Sequence, residues 1–340
     1  MISALFSINT TNRNRPARQH KTLARERGEN FPIANRSMET TELSHLPEGC
    51  VAHIVSLTTP RDACRFTNVS ALFRSAADSD AVWDAFLPPD LHAIVARSDA
   101  ETQKQLAAVH PRKQLFMRLA DSPILIDGGH KSFFLEKSSG KKCFMISARE
   151  MTIVWGDTPT YWKWTSLPES RFAEVAKLRN VCWLEMSARI ETSLLSSKTT
   201  YTSHLVFKLK ANSNGFDNIP VETSVGINGG VKDSKRIFLA PYDRLLQIVP
   251  RPMRFSSFGR RLRRARPAAE ETAEGSSSGG ARDAHLYPKH RADGWMEAEL
   301  GECFLDGDDG GELEVSVKEV ERGHWKRGLV IQGIEFRPKA

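Results

Sequence analysis

Only five of the 340 residues are cysteine, and only four are tyrosine. Cys50, Cys64, Cys143, Cys182 and Cys303 are odd in number, scattered, and never spaced C-x-x-C. That excludes a disulfide scaffold or a zinc ribbon and predicts reduced thiols packed as small core residues. No apolar run approaches the ~20 residues a membrane helix needs, so no membrane partner is expected. Catalytic signatures are missing as well. The ten histidines are dispersed, and the H-E-x-x-H, G-x-S-x-G, P-loop and dinucleotide-binding glycine patterns do not occur. Asp306-Gly307-Asp308-Asp309-Gly310 lacks the spacing and terminal bidentate glutamate of an EF-hand, so it reads as a turn between strands. Paired carboxylates such as Glu312 and Glu319 would suit a glycosidase only at a separation that the sequence does not give. The expectation is a non-catalytic protein with no metal and no cofactor.

The net charge of +7 is not a property of the whole chain. Residues 1–37 carry +5, and residues 251–266 carry seven arginines and no acid, so the remaining body is close to −5. A nucleic-acid surface built into the fold is therefore not indicated. The run Arg260-Arg261-Leu262-Arg263-Arg264-Ala265-Arg266 reads as a solvated basic segment, with nuclear import or RNA binding as the alternatives. Residues 1–40 read as a disordered tail, with Met38 just ahead of the first structured segment. Ala268 to Pro288 reads as a flexible insertion rich in Gly, Ser and acids.

Three or so short helices are predicted between Leu46 and Phe86. Val51, Ile54 and Val55 have helical spacing, as do Ala63, Phe66, Val69 and Phe73. Thr59-Pro60-Arg61-Asp62 has the pattern of an N-cap, a proline at the first helical position and an early acid. So small a module buries little core alone, and apolar residues left on its surface would form a docking face. Residues 99–120 read as one helix that Pro111 breaks or kinks. After Pro123 the period shifts toward two. Strands are predicted at Phe133–Leu135, Cys143–Met145, Val181–Glu191, Tyr201–Lys210, Val221–Asn228, Leu313–Val317 and Leu329–Phe336. Many strands with few helices between them predict an antiparallel sandwich or jelly roll.

The densest feature is Val154 to Trp164, with three tryptophans and a tyrosine in a chain that is 8% aromatic. Gly156, Asp157 and Pro159 place these rings on a loop between short strands. Such rings either plug the end of a core or offer their faces to a ligand.

Leu46-Pro47, Ile54, Leu57, Pro60 through Arg65, Val69-Ser70, Phe73-Arg74 and Trp83 together resemble an F-box. That resemblance implies docking to a Skp-type adaptor, and so to a cullin-based (SCF) ubiquitin ligase, through Leu46, Pro47, Ile54, Leu57, Pro60, Val69 and Trp83. Gly49-Cys50 departs from the acid-and-leucine pair common there. Gly in a first turn costs up to about 1 kcal/mol against Ala, which would weaken adaptor binding.

From about Phe144 onward the chain resembles the phloem protein 2 (Nictaba-type lectin) family. The matching blocks are Trp155–Trp164, Glu174–Leu178, Val181–Leu184, Tyr201–Lys210, Arg291–Glu297 and Gly328–Pro338. The resemblance implies a β-sandwich in which Trp155 and Trp162, assisted by Glu312 and Glu319, bind N-acetylglucosamine oligomers; Trp164 and Trp183 keep the core reading that composition gives them. A pyranose stacks its C–H face on an indole, and carboxylates accept its hydroxyl hydrogen bonds. The insertion ahead of Tyr287-Pro288-Lys289, and the missing lysine run of the tobacco lectin, are departures.

The expected architecture is α+β: a tail (1–40), a three-helix F-box (41–90), a helical linker (91–123) and a lectin-like antiparallel sandwich (124–340) interrupted by an insertion at 251–288. The expected function is target selection, in cytoplasm and nucleus, for a ubiquitin ligase, with glycoproteins as targets. The alternatives are a lectin-like stress or defence protein with a vestigial F-box, and a nucleic-acid-binding regulator.

Overall fold

The computed structural model describes residues 46–228, 230, 233–242, 286–307, 310–321 and 323–339. The expected tail with Met38, the arginine tract, most of the Gly/Ser insertion, and Asp308 and Asp309 lie outside the described residues. The described residues form one compact unit, helices first and antiparallel strands after them.

The helices are α1 (Glu48–Ser56), α2 (Pro60–Phe66), α3 (Ala71–Asp78), α4 (Asp80–Phe86), α5 (Leu91–Val95), α6 (Ala100–Ala107) and α7 (Arg112–Asp121). Thr59 caps α2 by accepting the Asp62 N–H, with Pro60 at the first helical position, as the sequence predicts. The expected three-helix module contains four helices. α2 ends at Phe66, and Ser70, in extended backbone (φ −159°, ψ 171°), accepts the Phe73 N–H and starts α3 within what the apolar spacing presents as a single helical period. Pro111 separates α6 from α7, as its missing N–H and its ring require.

Trp83 is the centre of this helical layer. Its ring meets Phe86 and Phe116 at 5.6 and 5.2 Å, and its indole N–H donates to the Ala77 carbonyl at 2.7 Å. Within the linker, residues 91–123, Phe116 and Leu119 are fully buried in the shared core. Two ion pairs tie the helices to the strands: Lys142 to Asp90 at 2.9 Å, and Arg97 to both Asp127 oxygens at 2.8 and 2.6 Å. The hairpin turn at Gly140 (φ +74°) lies so close that a Cβ there would stand 3.0 Å from the Phe86 carbonyl.

The strands are β1 (Ile124–Ile126), β2 (Lys131–Leu135), β3 (Lys142–Ser147), β4 (Thr152–Ile153), β5 (Trp162–Thr165), β6 (Val175–Leu178), β7 (Leu184–Glu191), β8 (Thr199–Asn214), β9 (Val221–Ile227), β10 (Asp233–Ile237), β11 (Lys289–His290), β12 (Met296–Leu305), β13 (Glu312–Glu319) and β14 (Arg327–Pro338). One sheet runs β1-β2-β3-β14-β8-β12-β11, with β6 beside β14 and β5 beside β6. The other runs β10-β9-β13-β7-β4. Most buried apolar residues of both sheets and of the helices belong to one cluster, while Met145, Phe172, Val175, Val206, Trp295 and Val330 form a second on the larger sheet. In the smaller sheet Leu313, Val315 and Val317 are buried, while Glu312 and Lys318 are exposed, the alternation of a half-buried strand.

Strand β12 escapes sequence reading because its alternation is broken. Met296, Ala298 and Leu300 face inward, then the register against β8 shifts between Glu299 and Gly301, and a bulge of this kind reverses the pattern. The insertion also ends earlier than expected. Leu286 accepts the Phe238 N–H at 2.8 Å and Tyr287 stacks on Phe238 at 5.1 Å, so Leu286 to Pro288 belong to the folded unit.

Candidate functional site

The tryptophan loop joins β4 to β5, as the turn residues predicted, and it is held by its own backbone. Ile153 accepts the Gly156 N–H, Trp155 accepts the Thr158 N–H, and Thr158 accepts from Tyr161 and Trp162, all between 2.9 and 3.0 Å. Arg179 braces it from outside, its backbone N–H donating to Tyr161 and its side chain to Pro159. Trp155 itself sits in left-handed backbone (φ 57°), a conformation that costs a bulky residue of order 1–3 kcal/mol and collects at functional sites. Its ring is 44% exposed and lies 5.1 Å from Tyr161.

The other three tryptophans are distributed differently from the expectation. Trp162 is 2% exposed and lies in the core, so its face cannot stack on a ligand; its indole N–H has no acceptor among the described residues. Trp164 is half-buried, donates to the Gly156 carbonyl at 3.1 Å, and carries the Arg149 guanidinium on its ring at 3.7 Å. Trp183, expected in the core, is 42% exposed, and its indole N–H donates to a Glu185 carboxylate oxygen at 2.9 Å. Its place follows from β7, where Glu185 points outward and Leu184 inward; Trp183 shares the face of Glu185.

Glu312 and Glu319 do not converge. They open and close β13, seven residues and so ~23 Å apart at ~3.3 Å per residue. An odd interval also puts them on opposite faces. Glu312 is exposed beside Asn228, whereas Glu319 is buried against Lys326. Neither glycosidase geometry, which needs carboxylates within about 10 Å, nor a shared sugar site fits this pair.

Two of the sequence blocks meet in a buried ionic cluster. Arg291 bonds Glu297 at 2.9 Å and Glu335 at 3.1 Å, Arg337 bonds Glu297 at 2.9 Å, and Arg171 reaches Glu335 at 3.3 Å. Glu335 is 1% exposed, and the cluster links β14 to β12 across the intervening β8. Burial lowers the Arg171 pKa, while Glu335 and its neighbouring acids raise that of Arg291 against its burial. His204 lies beside this cluster, and burial pushes its pKa down to about 3. Among the described residues no group of three His, Cys, Asp or Glu could hold a metal ion, and no helix is long and apolar enough to cross a membrane.

On the helical layer the expected docking residues divide in two. Ile54, Leu57 and Val69 are 43, 65 and 63% exposed, Pro47 is exposed, and Leu46 is partly buried. Pro60 and Trp83 are buried. Their part is to build the layer, because helix-start geometry and the Trp83 contacts draw both inward.

Residues 141–338 match the family model described as phloem protein 2. The chain is 42% identical over 309 residues to F-box protein PP2-B1 of Arabidopsis thaliana, covering 86% of this chain and 89% of that one. It belongs to the F-box proteins that carry a phloem protein 2 domain. F-box protein At2g02240, also of Arabidopsis thaliana, is 39% identical with 99% and 97% of the two chains covered, so the similarity runs through helices and strands alike. F-box protein SKIP3 of the same plant is 35% identical, over 90% of this chain and 91% of its own. The phloem protein 2 domain thus begins at the β2–β3 turn and contains the tryptophan loop, β13 and the ionic cluster. The Leu46–Trp83 resemblance lies ahead of it.

Proposed function

We propose that this F-box protein is the target-selecting subunit of a Skp–cullin–F-box ubiquitin ligase, and that its phloem protein 2 domain recognises glycans on the targets. The observation that carries the first half is the exposure of Ile54, Leu57 and Val69 on α1 and the turns after α1 and α2. Three of the four exposed large aliphatic residues among those described lie there, and such residues mark an interaction site when they cluster. In this reading residues 41–90 form the F-box, residues 124–340 the lectin-like domain, and two sheets around one core make its jelly-roll-like sandwich. The chain performs no chemistry; it brings a target lysine near the conjugating enzyme, in cytoplasm and nucleus.

The second half is supported by Trp155, an exposed ring on a braced loop and on strained backbone. A rigid aromatic face suits the apolar side of a pyranose. The test of the first half is co-purification with a Skp-type adaptor. Leu57→Asp and Val69→Asp should each abolish capture while leaving thermal unfolding unchanged. Equal capture by wild type and both variants would sink the F-box reading.

A further inference from the structure

The outer face of the smaller sheet carries an ordered row of hydroxyl side chains. Thr152 of β4 faces Ser187 of β7, Ser187 faces Ser316 of β13, Ser316 faces Ser224 of β9, and Ser224 faces Ser234 of β10. Every strand of the sheet gives one such residue to the same row. Ser224 and Ser316 touch, oxygen to oxygen, at 2.7 Å. Longer side chains rise on both sides. On one flank Glu185, Lys318, Glu222 and Arg236 form the neighbouring row, and on the other Arg189 faces Glu314. Short residues between long ones leave a trough of about 380 Å3.

Charge and geometry narrow what fits. The walls carry three acids and three bases, and two pairs are closed across β7 and β13: Lys318 to Glu185 at 3.0 Å and Arg189 to Glu314 at 3.1 Å. A polyanion gains nothing from a face with balanced charge. The interior strands have both edges paired, so a peptide cannot add as a further strand over this face. What remains on offer is a line of hydroxyls spaced by ~4.8 Å, the separation of strands, between carboxylates that accept hydrogen bonds.

The β4 end of the trough is aromatic. Trp183 is pinned to Glu185 through its indole N–H, and Val154, next to Trp155, donates to the Glu185 carbonyl at 3.0 Å. One exposed indole, Trp183, therefore stands at an end of a neutral, hydroxyl-lined channel, and the loop carrying exposed Trp155 starts from the same end. We propose that this trough binds a neutral linear oligosaccharide, which stacks at Trp155 and Trp183 and crosses the strands from β4 toward β10. Five strands span ~19 Å at that spacing, room for several sugar units. The inference rests on the glycan reading above and moves most of the contact surface from Trp162, Glu312 and Glu319 to this face.

The experiment is calorimetric titration of the full chain with N-acetylglucosamine oligomers of two to five units, beside an array of neutral and sulfated glycans. Ser316→Gln and Trp183→Ala should each weaken binding of the longer oligomers at least tenfold with an unchanged urea midpoint. Ser234→Gln, at the far end, should weaken the longest oligomer about tenfold and the disaccharide less than twofold. Binding that Trp155→Ala removes, but that all three trough variants leave within twofold of wild type, overturns the trough and spares the glycan reading. Wild type that binds no neutral glycan on the array overturns both.

Discussion

Glu319 and Lys326 form an ion pair sealed inside the phloem protein 2 domain, with side-chain exposures of 5% and 0%. Lys326 also donates to the carbonyls of His324 and Cys182, at 2.8 and 3.2 Å, so its ammonium is fully committed. The pair joins the end of β13 to the start of β14. Removing one partner strands the other charge in low dielectric, which costs about 3–5 kcal/mol. Glu319→Ala should therefore lower the unfolding free energy by that amount and shift the urea midpoint down, whereas Glu312→Ala, exposed at the other end of the strand, should leave both unchanged. Equal midpoints for the two variants would remove the structural role assigned to Glu319.

The difference between those two glutamates is only half legible in sequence. The alternation Glu312/Leu313/Glu314/Val315/Ser316/Val317/Lys318 was clear enough to predict the strand, and it extends to Glu319 on the apolar side. Parity alone could have exposed the conflict with a shared sugar site. The partner Lys326, by contrast, comes from a different segment and only tertiary contact reveals it. The same holds for Trp183. Its outward direction follows once β7 is set in register, but composition treats every tryptophan in an apolar run as core. Helix caps at Thr59 and the break at Pro111 were readable because they are local chemistry. The extra helix start at Ser70 was missed because the apolar positions on either side continue the same period.

Trp155 and Trp162 should respond oppositely to mutation. Trp162→Ala removes a buried ring and should cost about 3–5 kcal/mol. Trp162→Phe keeps most of the volume and deletes an indole N–H that has no acceptor among the described residues, so stability should hold or rise. Trp155→Gly deletes an exposed ring and relieves left-handed backbone in one step, so the domain should be no less stable. Chemical denaturation of the three variants separates these outcomes. Loss of glycan binding confined to Trp155→Gly would leave Trp162 a core residue only.

The helical layer offers a parallel contrast. Trp83 contacts Phe86 and Phe116 and is fully buried, so Trp83→Ala should destabilise by about 3–5 kcal/mol. Because α7 and the hairpin turn at Gly140 pack on the same layer, the loss should spread into β2. Amide hydrogen exchange would show it as lost protection at Phe133 to Leu135 as well as in α4. Protection lost in α4 alone would mean the helices unfold independently of the sheet.

His204 makes the stability of the domain depend on pH. Its ring lies on β8 opposite Glu299 and Glu335, with Arg337 and Arg291 close by. Burial is the main reason that its pKa falls to about 3, and the arginines add to it. In the unfolded chain the imidazole takes up a proton near pH 6.5. Between pH 6.5 and about 3 the unfolded state therefore binds one more proton than the native state. Stability is complete above 6.5 and is lost as pH falls through that window, by at most about 1.4 kcal/mol per pH unit. Carboxylates titrate in the lower half of the window, so the upper half isolates the histidine. His204→Gln should flatten the slope of unfolding free energy between pH 6.5 and 5. A variant with the wild-type slope would show that His204 is protonated in the folded protein, and the neutral buried imidazole would have to be abandoned.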